Sequence, residues 1–146
     1  MVVTALNYTP YEEFTTLSAT TGTFSSGISA TSGTFSSNIT ASGKITASGN
    51  ITAYSDYRVK TDFQIIPDAL GKLNKLTGYT FKRTDIEVPR QVGLLAQDVR
   101  EVLPEAVEED SEGKLSVAYG NITALLVEAI KELQAKVIEL ENSKSV

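Results

Sequence analysis

Ser55 and Lys60 lie five residues apart in the run Tyr54-Ser55-Asp56-Tyr57-Arg58-Val59-Lys60. A hydroxyl and an amine at close range are the parts of a serine nucleophile with a lysine base. Serine attacks poorly at its free pKa and needs a partner to take its proton. The chain has no histidine and no cysteine, so the usual base and the usual thiolate are missing, and Lys60 is the natural candidate. A solvated lysine, with a pKa of about 10.4, is neutral only about 0.04% of the time at pH 7. To serve as a base it must be desolvated or set beside positive charge, which brings it to roughly 7–8. Arg58 either supplies that charge or pairs with Asp56.

Spacing constrains the elements that hold the pair. Five residues on a helix turn through about 500°, off a shared face, and on a strand they fall on opposite faces. The pair therefore requires a turn, or a Lys60 from a neighbouring chain.

The run also lies at a seam in composition. Of the 13 basic and 18 acidic residues, only Glu12, Glu13 and Lys44 precede it. Ser, Thr and Gly make up nearly half of residues 1–54, and they are ordered. Residues 20–30 return as residues 31–41 with eight of eleven positions identical. Ser42-Gly43-Lys44-Ile45-Thr46-Ala47 then returns as Ser48-Gly49-Asn50-Ile51-Thr52-Ala53 with five of six identical. A regular period marks a repeat architecture rather than a linker. Phe24 and Ile28, Phe35 and Ile39, then Ile45 and Ile51 follow at even steps, which place side chains on one face of an extended strand. One large apolar residue in six cannot cover a core within one chain. Several chains wound together could do so, and residues from about 20 to 53 are read as the end of an intertwined triple-stranded β fibre.

Residues 55–146 read as a small mixed α/β module. Ile65, Ile66, Leu70, Leu73 and Leu76 have near-helical spacing, with Pro67 in the first turn and Gly78 as the stop. Tyr79 to Arg83 alternate like a strand. Val92-Gly93-Leu94-Leu95 reads as a buried strand. Ala96 to Leu103 reads as a helix stopped by Pro104, with Val99, Val102 and Leu103 inward. Leu115 to Tyr119 follow a polar turn that contains Asp110, Glu112 and Gly113.

The C-terminal pattern is the clearest helix, about 121–142, with Asn121 as N-cap. Thr123, Leu126, Ile130, Leu133, Val137 and Leu140 alternate at three and four residues, which is the seam of a coiled coil. The alternative is an amphipathic helix packed on its own domain. Ile and Val at one seam position with Leu at the other lean by themselves towards two strands. A trimer therefore needs help from the fibre and the module. The fold class is α+β, in a homotrimer.

The formal net charge of −5 leaves no electrostatic footprint for nucleic acid or an anionic membrane. No apolar run approaches the roughly 18–20 residues that span a bilayer, and the N-terminus lacks the pattern of a secretory signal. No metal, cofactor, nucleic acid or membrane partner is expected.

From Ser55 to about Leu133 the chain resembles the C-terminal intramolecular chaperone domain of bacteriophage tailspikes and tail fibres, the self-cleaving S74 peptidase family typified by endosialidases. Ser55-Asp56-Tyr57-Arg58-Val59-Lys60 matches the family's opening Ser-Asp-x-Arg-x-Lys. Asp68-Ala69-Leu70 and Phe81 follow. Next come Val92 to Val99 and Val102-Leu103-Pro104. Leu115 to Tyr119 and Ala129 to Leu133 complete the set. Asp62-Phe63 departs from the family, which more often has Asn then Ile.

The resemblance implies a homotrimeric assembly chaperone that folds the fibre before it and then cuts itself off once, between Tyr54 and Ser55. It implies a serine endopeptidase with a Ser55/Lys60 dyad, and Asp56, Arg58 and Gln97 are taken as supporting residues; the oxyanion donors are not readable from the sequence, and Gln97 is only a candidate for that role. Leu126, Ile130, Leu133, Val137 and Leu140 would form the trimer seam. The protein would be made in the host cytoplasm. Residues 1–54 would stay in the virion tail, open to a host surface receptor, and residues 55–146 would be released. The competing reading is a trimeric structural or receptor-binding fibre tip that is never cut. A membrane-anchored transcription factor of the myelin regulatory type also carries such a module, but the Ser/Thr/Gly repeat and the lack of an apolar span speak against it.

Overall fold

The computed structural model describes residues 28–144. The chain divides into two units between Thr52 and Ala53. In the first, the described residues 28–52 form no strand and are exposed throughout. Phe35, Ile39, Ile45 and Ile51 are 60–80% exposed. The spacing explains this, because an extended chain with one large apolar residue per six has nothing of its own to pack against. Strand pairing also needs backbone partners from a neighbour. Phe24 and the rest of residues 20–27 of the repeat lie outside the described residues.

The second unit is built from short elements. α1 spans Ala69–Leu73, β1 Tyr79–Phe81, β2 Gln91–Gly93, α2 Ala96–Val102, β3 Val107–Glu109, β4 Leu115–Val117 and α3 Tyr119–Lys144. Single 3₁₀ turns occupy Tyr57–Val59 and Pro104–Ala106. β1 and β2 form an antiparallel pair with Thr80 opposite Val92. β3 and β4 form another with Glu108 opposite Ser116.

α1 is shorter than the apolar spacing suggests, for local reasons. Pro67 disfavours the helical conformation at Ile66. Asp68 then sits in the left-handed region, φ 50°, as the first helical residue approaches. Both hold the chain out of the helix until Ala69. β2 is also not a buried strand, since Val92 is 78% exposed. The β1–β2 pair has only two strands, and one of its faces has no layer over it. Its inward anchor is the backbone beyond it, where the Leu94 N–H donates to Tyr119 Oη at 3.0 Å. A side chain at position 93 would run into that hydroxyl, so glycine is required there.

The core is small. Ala69, Val99, Val102, Leu103, Ala106, Ile122, Leu125 and Ala129 are buried, with Leu70, Leu73, Leu76, Leu94, Val107 and Val117 packed around them. Val99, Val102 and Leu103 point inward as their spacing predicts, and Pro104 ends α2 by opening a 3₁₀ turn. α3 begins at Tyr119, two residues before Asn121, so Asn121 lies within the helix and is not its N-cap. Its Ile122, Leu125 and Ala129 stripe supplies three of the eight buried hydrophobic side chains among the described residues. Leu125 is fully buried. Leu125→Ala removes that contact and leaves a cavity, and should cost about 3 kcal/mol. In a module with this few core residues, thermal denaturation should show a clear fall in midpoint.

A carboxylate ties α3 to α1. Glu132 accepts the Ala69 N–H at 2.7 Å and the Leu70 N–H at 2.9 Å. These are free donors at a helix start, which a negative group satisfies well. The Leu70 and then the Ala69 N–H hold the Glu132 carboxyl below the usual glutamate range, with a further contribution from Lys136. The folded value is depressed, so the stabilisation is whole above the unfolded value of about 4.3 and is lost as acid protonates the group. Melting temperature should therefore fall on acidification below pH 5, and Glu132→Gln should flatten that dependence while lowering stability at neutral pH.

Candidate active site

The turn demanded by the five-residue spacing is the 3₁₀ turn Tyr57–Val59. Its closing bonds run from the Val59 N–H to the Asp56 carbonyl and from the Lys60 N–H to the Tyr57 carbonyl. Asp56 is its N-cap, with Oδ1 accepting the Arg58 N–H at 2.9 Å. Capping by an aspartate carboxylate is the favoured way to satisfy a donor at a helix start. Lys60 leaves the turn in an extended conformation, φ −123° and ψ 150°. Its Nζ donates to Ser55 Oγ at 2.7 Å, so the two side chains meet within one chain.

Arg58 lies in the same turn, and its guanidinium is committed. Nε donates to both Asp56 oxygens, at 3.0 and 3.1 Å, and Nη2 donates to Oδ2 at 2.6 Å. That fork holds the Asp56 carboxyl below the usual aspartate range, its side-chain bond first and its backbone bond second. Of the two roles open to Arg58 in the sequence, the structure has the pairing with Asp56. Ser55 and Lys60 are exposed, as is Tyr54, the residue before the serine. Gln97 makes no hydrogen bond with Ser55 or Lys60. It lies at the start of α2, lining a different cleft with Phe81, Gln91 and Tyr119.

Asp62 adopts the left-handed conformation, φ 53°. Asn and Asp are the non-glycine residues that enter it with least difficulty. The change from the family's usual Asn therefore keeps the backbone. Phe63 is 71% exposed and lines a cleft with Ile65, Ala124 and Val127.

α3 carries two apolar stripes. Ile122, Leu125 and Ala129 face the module, with Glu132 continuing the line onto α1. Leu126, Ile130, Leu133, Val137 and Leu140 face away and are 41–64% exposed. The two readings of this helix, packed on its own domain or against other chains, therefore concern different faces. The inward stripe is visible in the sequence as a second set at three- and four-residue steps, displaced by one residue from the first. Among the described residues no helix is long and apolar enough to cross a membrane.

The segment that opens at the serine is similar to a known family. Residues 55–108 match the model of the peptidase S74 family, described as chaperone of endosialidase. This agrees with the resemblance carried by the ordered motifs. The chain is also similar to phage tail fibres. It is 41% identical over 85 residues to the long tail fibre protein Gp37 of Enterobacteria phage K3, over 53% of this chain and 7% of that protein. Identity to the Gp37 protein of phage T2 is also 41% over 85 residues, covering 53% and 6%. The phage M1 protein is 35% identical over 81 residues, covering 50% and 32%. The chain thus spans less than a tenth of the first two relatives and about a third of the third.

Proposed function

We propose that residues 55–146 are an intramolecular chaperone for a trimeric phage tail fibre, and that they detach by hydrolysis of the Tyr54–Ser55 bond. The observation that carries this reading is the 2.7 Å hydrogen bond from Lys60 Nζ to Ser55 Oγ, at the first residue of the matched family segment. The tail fibre relatives support the fibre, and the outward stripe on α3 supports the association of chains.

In the reaction, Ser55 Oγ attacks the Tyr54 carbonyl carbon while the Lys60 amine takes the hydroxyl proton. The C–N bond breaks and the Ser55 nitrogen leaves as an amine with a proton returned to it. Water then attacks the ester left on Ser55 Oγ, the Oγ–C bond breaks with a proton returned to the serine hydroxyl, and water supplies the second oxygen of the new Tyr54 carboxylate. One turnover per chain is enough, so a modest rate serves.

Exposure of both side chains bears on timing. A lysine becomes a useful base only when it is taken out of water. Burial of the Ser55–Lys60 pair by neighbouring chains would couple the cut to assembly. A chaperone of this kind answers a real difficulty. Pairing between chains has high contact order and nucleates slowly, and open strand edges aggregate. A module that associates first raises the effective concentration of the three fibre strands. Its removal then makes the wound fibre kinetically stable.

Mass spectrometry of freshly made protein tests the reading. The 15.7 kDa chain should give way to two fragments that meet at Tyr54 and Ser55, and native mass should show three copies. A persistent intact trimer would instead mark an uncut fibre tip.

A further inference from the structure

Asp56 is the residue of interest, for a reason separate from the hydroxyl–amine contact. In residues 51–65 it is the one residue that is part-buried, the others being exposed. Both of its oxygens are occupied. Oδ1 takes the Arg58 N–H and Nε, and Oδ2 takes Nε and Nη2. Asp56 makes no hydrogen bond to Lys60 or Ser55, so it does not extend the pair into a relay.

The geometry points to Asp56 and Arg58 as a positioning pair for the cleavage reaction, a fork that closes the Tyr57–Val59 turn and so carries Lys60 onto Ser55. This rests on the cleavage reading above. The argument is one of chain geometry. Ser55 precedes the turn and Lys60 follows it, so the turn alone sets the distance between them. The turn is a single 3₁₀ turn, with two backbone bonds, one of them long at 3.3 Å from Val59 N to Asp56 O. So short an element has little stability of its own. The carboxylate adds a cap to the backbone, and the bidentate guanidinium holds that carboxylate at its cap oxygen. Arg58 is suited to this because its planar fork matches a carboxylate, which a lysine ammonium does not. The fork also uses up the Arg58 charge, which is therefore not free to act on Lys60.

The test is the first-order rate of fragment formation in the full chain, with assembly followed by native mass. Asp56→Ala removes cap and fork together, and cleavage should slow about 100-fold, the effect of displacing a reacting group by roughly 1 Å. Asp56→Asn keeps an equally good cap and should retain more of the rate than Asp56→Ala. Arg58→Lys should resemble Asp56→Asn. In all three the trimer should still form, and the residual rate should follow pH with the same profile as the native chain, because Lys60 still takes the proton.

Amide exchange gives a readout independent of cleavage. In the uncut Ser55→Ala background, the Arg58 and Lys60 amides should exchange faster when Asp56→Ala is added. Three results would overturn the proposal while leaving the cleavage reading intact. One is a native rate in Asp56→Ala. The second is unchanged exchange at Arg58 and Lys60. The third is an Asp56→Asn chain as inactive as Lys60→Ala with a displaced pH profile, which would put Asp56 in the proton transfer itself. If the native chain never yields fragments, the cleavage reading falls and the positioning role falls with it.

Discussion

Ser55→Ala should keep the chain whole at 15.7 kDa under conditions in which the native chain is expected to yield two fragments. The nucleophile is gone, and no other hydroxyl among the described residues is hydrogen-bonded to Lys60. Lys60→Ala should do nearly the same, because loss of a general base commonly costs about 10²–10⁴-fold. Lys60→Arg is the sharper variant. Arginine retains the positive charge and can still donate to Ser55 Oγ, but it does not surrender a proton in a protein. A lysine needed only for its charge would tolerate the change, whereas a lysine acting as base would not. Mass spectra over time on the three variants and the native chain decide this. Cleavage of Ser55→Ala at the same bond and rate would remove Ser55 from the chemistry.

The contact between Ser55 and Lys60 was legible in the sequence only as a requirement. Spacing demanded a turn, and the residues that make one, an aspartate with an arginine two positions on, are in the same heptapeptide. What spacing leaves open is the partner of Arg58, since carboxylate and lysine are both within a few residues. The structure has the carboxylate. Gln97 shows the opposite case. Nothing local links position 97 to position 55, and the structure has them without a shared hydrogen bond.

The elements of the module divide in a similar way. α2 was readable because Val99, Val102, Leu103 and Pro104 combine a stripe with a stop. β3 was not, because Val107-Glu108-Glu109 holds one apolar side chain. It is held by its partner β4 through a turn in which Asp110 accepts the Glu112 and Lys114 N–H groups and Gly113 takes φ 79°. α1 is bounded by backbone effects at Pro67 and Asp68 and capped by Glu132, 62 residues away from Leu70. Long-range capping of that kind leaves no local trace. The repeat before the module is a different matter. Its regularity is plain in the sequence, but residues 28–52 of one chain are exposed and unpaired as strands, and a fibre is a property of several chains.

Ile130→Asp together with Leu133→Asp should leave the module folded and abolish association. These two side chains are 64% and 51% exposed in the chain, on a stripe of α3 displaced by one residue, about 100°, from that of Leu125. Neither belongs to the buried core, so their replacement removes little burial within the module. In a trimer seam the same positions converge, and each large apolar side chain would contribute roughly 1.5–3 kcal/mol of burial. Aspartate there loses that burial in every chain and sets like charges together in a desolvated strip. Native mass should give one copy in place of three, while circular dichroism retains the helix signal and thermal unfolding remains cooperative. Leu125→Ala is the counterpart on the other face, expected to lower the melting midpoint directly. If assembly is what buries Ser55 and Lys60, the double aspartate variant should also stop fragment formation although both residues are untouched. Three copies surviving in that variant would show that α3 does not hold the chains together. A monomer that still cuts itself at the native rate would separate cleavage from assembly.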